Sequence, residues 1–351
     1  MANVAKDLLW PKDKNIILRV VFLYVGQGDS TIVLAANGAT YETILIDINL
    51  DSNNGGIDVP HLMSDLLEDQ KTRLNVFVNT HPHNDHLSGI KELCDTVEIG
   101  EVWHSGHKPG KDHKDAYENL KEVIKKVKES GGSETELNGS KEPKTFGETE
   151  YYVLAPASYV VDDIEGESAE ERYRRIHEQC AVLKFGRDSK WIMITGDADR
   201  DAWEKHITHY HKERLSSTVL SAPHHGSRSF FRYQEEDEPY LDALHQISPT
   251  YVVVSAPTSE ESQHDHPHDD AISLYIEQVK DEDNVLHTGK RRHSFICDIF
   301  RDGELAIQED NGVLTEEYGL VSSDKESKKS SVFIPPVVPP VDSRPMGSCE
   351  G

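Results

Sequence analysis

The sequence predicts an α/β fold in which strands deliver histidines to one edge, and three observations carry that expectation. Short apolar runs of β-like composition recur along most of the chain, separated by Gly-rich or polar turns. Between them lie segments with apolar residues at helical spacing: Leu62, Leu66 and Leu67 in one, Tyr117, Leu120, Ile124 and Val127 in another. Four loops rich in His or Asp each follow a β-like run, and such strand-to-loop junctions are where α/β layers place their chemistry.

In chain order, the run 16–24 (IILRVVFLY) is followed by the tight turn VGQGDS (25–30), then TIVLA (31–35) and TILIDI (43–48). The first helical segment leads to the strand LNVFVNT (74–80), which ends directly in histidines. Residues 111–130 read as an amphipathic helix whose lysines alternate with acids, so it is a solvated face and not a nucleic-acid arm. It forms the centre of an expected charged helical insertion over about 105–145, whose second half (131–144) reads as a loop. Strands follow at 151–154, 180–185 and 191–195, then a helix-like stretch from Ala198, then strands at 218–222, 251–255 and 295–300. The expected division is a folded domain over 1–312 and a Ser/Lys/Pro-rich tail over 313–351, whose composition cannot form a packed core.

The chain has 351 residues, 63 acidic and 37 basic side chains and a formal net charge of −26. That acidity argues against broad, nonspecific coating of nucleic acid. No apolar run approaches the roughly 18 residues of a membrane span, and the N-terminus lacks the apolar core of a secretory signal. A cytoplasmic protein with no membrane association is expected. The four cysteines share no CxxC spacing, so neither a disulfide framework nor a thiolate zinc site is expected.

The unusual count is 19 histidines. His81-Pro82-His83-Asn84-Asp85-His86 places four ligand-type residues within one short loop. Two histidines one residue apart can converge on one cation, while the following Asp and His can reach a second. Imidazole with carboxylate suits Zn²⁺ first, with Mn²⁺ or Fe as alternatives. Thr195-Gly196-Asp197 offers the carboxylate that a two-metal site needs as a bridge. Ser221-Ala222-Pro223-His224-His225-Gly226-Ser227 and His264-Asp265-His266-Pro267-His268 complete the set.

VGQGDS, HPHNDH, TGD, PHHGS and HPH, in this order over residues 16–305, resemble the metallo-β-lactamase superfamily. The likeness is to the branch that includes the metallo-hydrolase domain of ComEC-like competence proteins, and teichoic acid phosphorylcholine esterase is similar. The resemblance implies an αββα sandwich of two mixed β-sheets flanked by helices, with two divalent metals at the sheet edge. It assigns His81 and His83 to one metal, Asp85, His86 and His225 to the other, and Asp197 to the bridge. It makes Asp47 the residue that orients the HPHNDH loop, and it implies a catalytic set of Asp85, His224 and His266. His224 and His266 would face the substrate, as donors to developing negative charge or as the acid for the leaving group. The chain departs from the pattern in having Tyr24 before VGQGDS, and LIDIN where LIDTG is usual. It also lacks a third histidine near YYVLAP, for which His177 or His104 would substitute.

The implied reaction is hydrolysis, most readily of a phosphodiester, with a hydroxide shared by two metals as nucleophile. Arg228 and Arg232, together with Lys290, Arg291 and Arg292, are expected to supply phosphate-binding charge at the mouth. Alternatives are a lactonase, amidase or thioesterase, or a partner-gated effector subunit working through its acidic surface or Pro-rich tail. A strongly acidic exterior repels bulk nucleic acid beyond a Debye length of about 8 Å. The expected substrate is therefore a nucleotide or single-stranded nucleic acid, or a longer one presented by a basic partner.

Overall fold

The computed structural model describes residues 4–107, 109, 113–160, 168, 175–264 and 266–320. Its strands are β1 (Ile16–Phe22), β2 (Thr31–Asn37), β3 (Thr40–Ile46), β4 (Leu74–Asn79), β5 (Ile99–His104), β6 (Ser133–Glu136), β7 (Lys144–Phe146) and β8 (Thr149–Ala155). They continue with β9 (Val182–Arg187), β10 (Lys190–Ile194), β11 (Val219–Ser221), β12 (Tyr251–Val254), β13 (Val285–His287), β14 (Phe295–Phe300) and β15 (Leu305–Glu309). One sheet has the order β15-β14-β1-β2-β3-β4-β5-β6 and the other β13-β12-β11-β10-β9-β8-β7. Each sheet is mixed. From β15 to β3 the first is antiparallel, and from β3 to β6 it is parallel. The second is parallel from β13 to β10 and antiparallel from β10 to β7.

The apolar residues alternate along the strands and so build three layers. Val20, Phe22, Val33, Ile44, Ile46, Val76 and Val78 point inward from the first sheet to meet Val153, Leu183, Phe185, Ile192 and Ile194 of the second. Their neighbours Val21, Ile32, Leu34, Leu45 and Phe77 face outward onto helices Val59–Gln70, Ile90–Thr96 and Lys114–Glu129. On the far side, Met193, Leu220 and Val252 meet Trp203, Leu244, Ala271 and Tyr275. The result is the αββα sandwich that the resemblance implied.

Three expectations are refined. Lys114–Glu129, expected as a solvated helix, packs one face into the fold. Ala116, Leu120, Val123, Ile124 and Val127 are buried, and the helix joins the parallel neighbours β5 and β6, as a crossover helix must. The stretch read as a loop after it contains β6, whose sequence SETE is too polar to signal a strand. The fold also continues past residue 312: Val313–Tyr318 is a helix with Leu314 and Tyr318 buried, and Gly319 bridges to Ile57. The expected tail falls, from residue 321, outside the described residues. No helix among the described residues is long and apolar enough to cross a membrane.

Candidate metal centre

The ends of the parallel strands converge on one edge of the sandwich. After β4 comes the HPHNDH loop, after β10 Asp197, after β11 the PHHGS loop and after β12 the stretch leading to His266. Parallel strands end side by side, so their following loops meet in a single crevice. His81, His83, His86, Asp197 and His225 are all buried there.

Two groups of ligand atoms form, each with all its atoms within 4.8 Å of one another: His81, His83, His177 and Asp197 in one, Asp29, His86, Asp197 and His225 in the other. Asp197 belongs to both. Its Oδ2 lies 3.3 Å from His81 Nε2, and its Oδ1 lies 3.2 Å from His86 Nε2 and 3.4 Å from His225 Nε2. His86 Nε2 and His225 Nε2 face each other at 3.2 Å. Asp85 Oδ2 is 3.4 Å from His225 Nε2 and 4.0 Å from His86 Nε2, so it meets the second group on the same side as Asp197. Asp29 approaches the opposite nitrogen, His225 Nδ1, at 3.7 Å.

The chemistry of these atoms fits divalent cations. His81 Nε2, His83 Nε2 and Asp197 Oδ1 are buried with no hydrogen-bond partner, a costly arrangement unless a cation satisfies them. His81 Nδ1 lies 3.1 Å from Thr80 Oγ1, and in the second group each Nδ1 is committed elsewhere, which turns Nε2 to the crevice. His86 Nδ1 donates to Asp47 Oδ2 at 2.7 Å, and His225 Nδ1 donates to the Ser255 carbonyl at 3.0 Å. Asp47 also accepts from the Thr80 amide at 2.8 Å, Thr80 Oγ1 at 2.6 Å and Asn79 Nδ2 at 3.2 Å. VGQGDS braces the same loop, since the Asp29 amide donates to the Asp85 carbonyl at 3.2 Å. Gly28 (φ +139°) passes so close that a Cβ there would lie 2.3 Å from that carbonyl oxygen.

Burial and mutual charge split the titrations. Burial would raise Asp197, but His224, His86, His225 and His81 hold it well below the usual carboxylate range. Burial would lower His225, yet Asp197, Asp29 and Asp85 push it up to about 9. His86 goes the same way, carried well above its ordinary value by Asp197, Asp47 and Asp85 against burial. Burial dominates at the rim and holds His177, His224 and His266 down at about 3, as neutral imidazoles.

Of the two substitutes considered for the missing histidine, His177 stands in the first group, whereas His104 Nε2 is 3.0 Å from Glu134 and outside both groups. His224 and His266 flank the crevice with ring centroids 5.1 Å apart, and His264 is exposed beyond them. Two residues not picked out from the sequence belong here: Asp29, inside VGQGDS, and His107, buried 5.6 Å from His83 by ring centroids.

The expected phosphate-binding cations all have carboxylate partners. Arg228 and Arg232 both pair with Asp270, each at 3.3 Å. Lys290 pairs with Glu282, Arg291 with Glu309 and Arg292 with Glu261. The crevice itself is ringed by imidazoles.

No protein-family model and no curated protein matches the sequence. Among solved structures, the chain is similar to a diphosphatase of the PhnP family at 11% identity, covering 77% of this chain and 94% of that one, with a TM-score of 0.38. It is similar to a β-lactamase from Chitinophaga pinensis at 12% identity, over 78% of this chain and 97% of that one, with a TM-score of 0.32. A third is the metallo-β-lactamase SMB-1 bound to 2-mercaptoethanesulfonate, at 10% identity, over 88% of this chain and 95% of that one, with a TM-score of 0.30.

Proposed function

We propose that the chain is a metal-dependent hydrolase that cleaves phosphodiesters, holding two divalent cations between its sheets. The observation that carries this reading is the pair of ligand groups sharing Asp197, with buried histidine and carboxylate atoms left unpartnered. In this reading His81, His83, His177 and Asp197 would hold the first cation, and His86, His225 and Asp197 the second, with Asp85 or Asp29 completing it. When bound, such a pair supplies a nucleophile at neutral pH and positive charge for the attacked phosphoryl group. Zn²⁺ is the preferred occupant, and Mn²⁺ or Fe fits the same donors.

The protein's own groups do the rest. Asp47 and the Ser255 carbonyl hold Nδ1 of His86 and His225, so that each Nε2 faces the crevice. His224 and His266 face the crevice, as hydrogen-bond donors to a phosphoryl oxygen or as the acid for the leaving group. His224 Nδ1 is held 2.9 Å from Ser229 Oγ, which leaves Nε2, 3.6 Å from Asp197, on the open side.

The order of motifs, shared with a branch that acts on phosphodiesters, supports that bond over others. The competitor is an uncharged lactone, thioester or amide. Assay of metal-replete protein decides between them. Hydrolysis of bis(p-nitrophenyl) phosphate, DNA, RNA or a cyclic dinucleotide, lost in His83→Ala and Asp197→Ala, is expected. Turnover of a lactone or thioester panel with phosphodiesters untouched would overturn the phosphodiester assignment. Protein that binds two metals, turns over nothing and copurifies with a partner would replace it with a partner-gated effector.

A further inference from the structure

Beside the metal centre, and opening onto Asp85, lies a cleft of about 210 Å³ that the reaction described above does not use. Its lining is unusual in composition: six carboxamides, Gln27, Asn49, Asn53, Asn54, Asn84 and Gln263, surround it. Leu50 is the only aliphatic residue among its described lining, and no Lys or Arg takes part. A carboxamide offers donor and acceptor on one planar group without charge. Gln27, Asn49 and Asn54 commit their amide nitrogens within the protein, so Asn53, Asn84 and Gln263, all exposed, are the carboxamides that face a neutral partner presenting donors and acceptors along an edge. Asp51 and Asp85, the charged groups of the lining, make the cleft unsuitable for a phosphate.

The wall is braced from behind. Asn49 Nδ2 donates to the Val25 and Gln27 carbonyls at 3.0 and 2.6 Å. Asp51 accepts from the Gln27 and Asn53 amides at 3.0 and 2.9 Å, so its carboxylate shapes the turn. Gln27, the central residue of VGQGDS, connects the cleft to the reaction centre: its Nε2 donates to His266 Nδ1 at 3.4 Å and its Oε1 accepts from Ser262 at 3.0 Å. That contact puts the His266 proton on Nε2. The motif thus links the cleft wall to an imidazole at the crevice.

We infer that this cleft is a specificity subsite that takes the nucleobase of a nucleotide substrate, reading its hydrogen-bonding edge while the adjoining phosphoryl group lies at the metal centre. The inference rests on the phosphodiesterase reading. The volume equals that of about seven water molecules, room for one heterocyclic ring system and not for a paired strand. The described lining holds no Phe, Tyr or Trp and its one ring is the exposed His264 imidazole, so edge hydrogen bonds carry the recognition and His264 is the side chain placed to stack on the base.

The test compares thymidine 5′-(p-nitrophenyl phosphate) with bis(p-nitrophenyl) phosphate on metal-loaded full-length protein. A KM about tenfold lower for the nucleoside ester is expected, since one or two net hydrogen bonds amount to that factor. The double variant Asn53→Ala/Gln263→Ala, altering two exposed wall residues, raises that KM about tenfold at unchanged kcat and leaves the bis ester alone. Equal KM values for the two esters, or a variant that shifts both together, would overturn the subsite. Calorimetric binding of adenosine 5′-monophosphate and ribose 5-phosphate separates base from sugar, and the former binds at least about tenfold tighter. Equal binding of the two also overturns the subsite. If neither ester is hydrolysed, the phosphodiesterase reading alone fails, and these two affinities still decide whether the cleft takes a base.

Discussion

Asp47 is the residue through which the sheet controls the metal centre. Its carboxylate gathers four donors, the Thr80 amide and hydroxyl, Asn79 Nδ2 and His86 Nδ1. Two have an alternative within reach, because Asn79 Nδ2 also donates to the His81 carbonyl at 2.8 Å and Thr80 Oγ1 lies 3.1 Å from His81 Nδ1. Asp47→Ala therefore strands the Thr80 amide and His86 Nδ1, each at about 1–3 kcal/mol. Asp47 also has φ +55°, where a non-glycine side chain costs roughly 1–2 kcal/mol and Asn or Asp is tolerated best. The alanine variant should thus lose about 3–8 kcal/mol of stability. Asp47→Asn keeps the backbone and one acceptor and should lose less, about 1–2 kcal/mol. Both variants release the His86 ring, so metal affinity falls about 10–100-fold in each. Urea midpoints measure the first effect, and competition with a chromophoric chelator measures the second. An Asp47→Asn protein that binds metal within about twofold of the parent would refute the claim that this carboxylate orients the centre.

Three further outcomes are expected. Arg19 and Asp298 form a buried bidentate pair across β1 and β14, at 2.7 and 2.6 Å. Arg19→Met should cost about 3–5 kcal/mol by leaving a bare buried carboxylate, and adding Asp298→Leu should recover part of that loss; a strictly additive cycle contradicts the pairing. Gly28→Ala should lower the urea midpoint sharply, because the new Cβ meets the Asp85 carbonyl, and an unchanged midpoint contradicts the close approach. His211 donates from Nε2 to the Leu154 carbonyl at 2.8 Å. Burial, aided by Lys141, Arg214 and Lys184 and opposed by that bond, holds its pKa down at about 4. The unfolded chain then binds the extra proton between pH 6.5 and 4, so stability is complete above 6.5 and drains as pH falls through that window. Over it the parent should lose about 3 kcal/mol more than His211→Gln, as read by urea midpoints; parallel pH profiles contradict this.

The legible part of this chain was what an apolar run announces. β1, β2, β4, β10 and β14 were read from their composition, and the loops after β4, β10 and β11 were conspicuous because ligand-type residues follow the run directly. β6 was illegible because a solvated edge strand needs no apolar residues, as SETE shows. Without β6, the helix Lys114–Glu129 lost its context and read as an insertion. His177 sits on the short turn Ile176–Gln179 with no motif around it, so only the absence of a histidine elsewhere pointed to it. Asp29 hid inside a turn whose glycines account for its shape. The partners of the basic clusters, among them Asp270, Glu261 and Glu309, lie many residues away, and local sequence does not record such pairings.

Metal content tests the central claim most directly. Protein equilibrated with Zn²⁺ and desalted should retain two ions per chain by elemental analysis. His177→Ala should retain one, because only the first ligand group contains that imidazole, and Asp197→Ala should retain neither, because both groups share its carboxylate. A parent that keeps less than one ion, or an Asp197→Ala protein that still keeps two, would contradict the account.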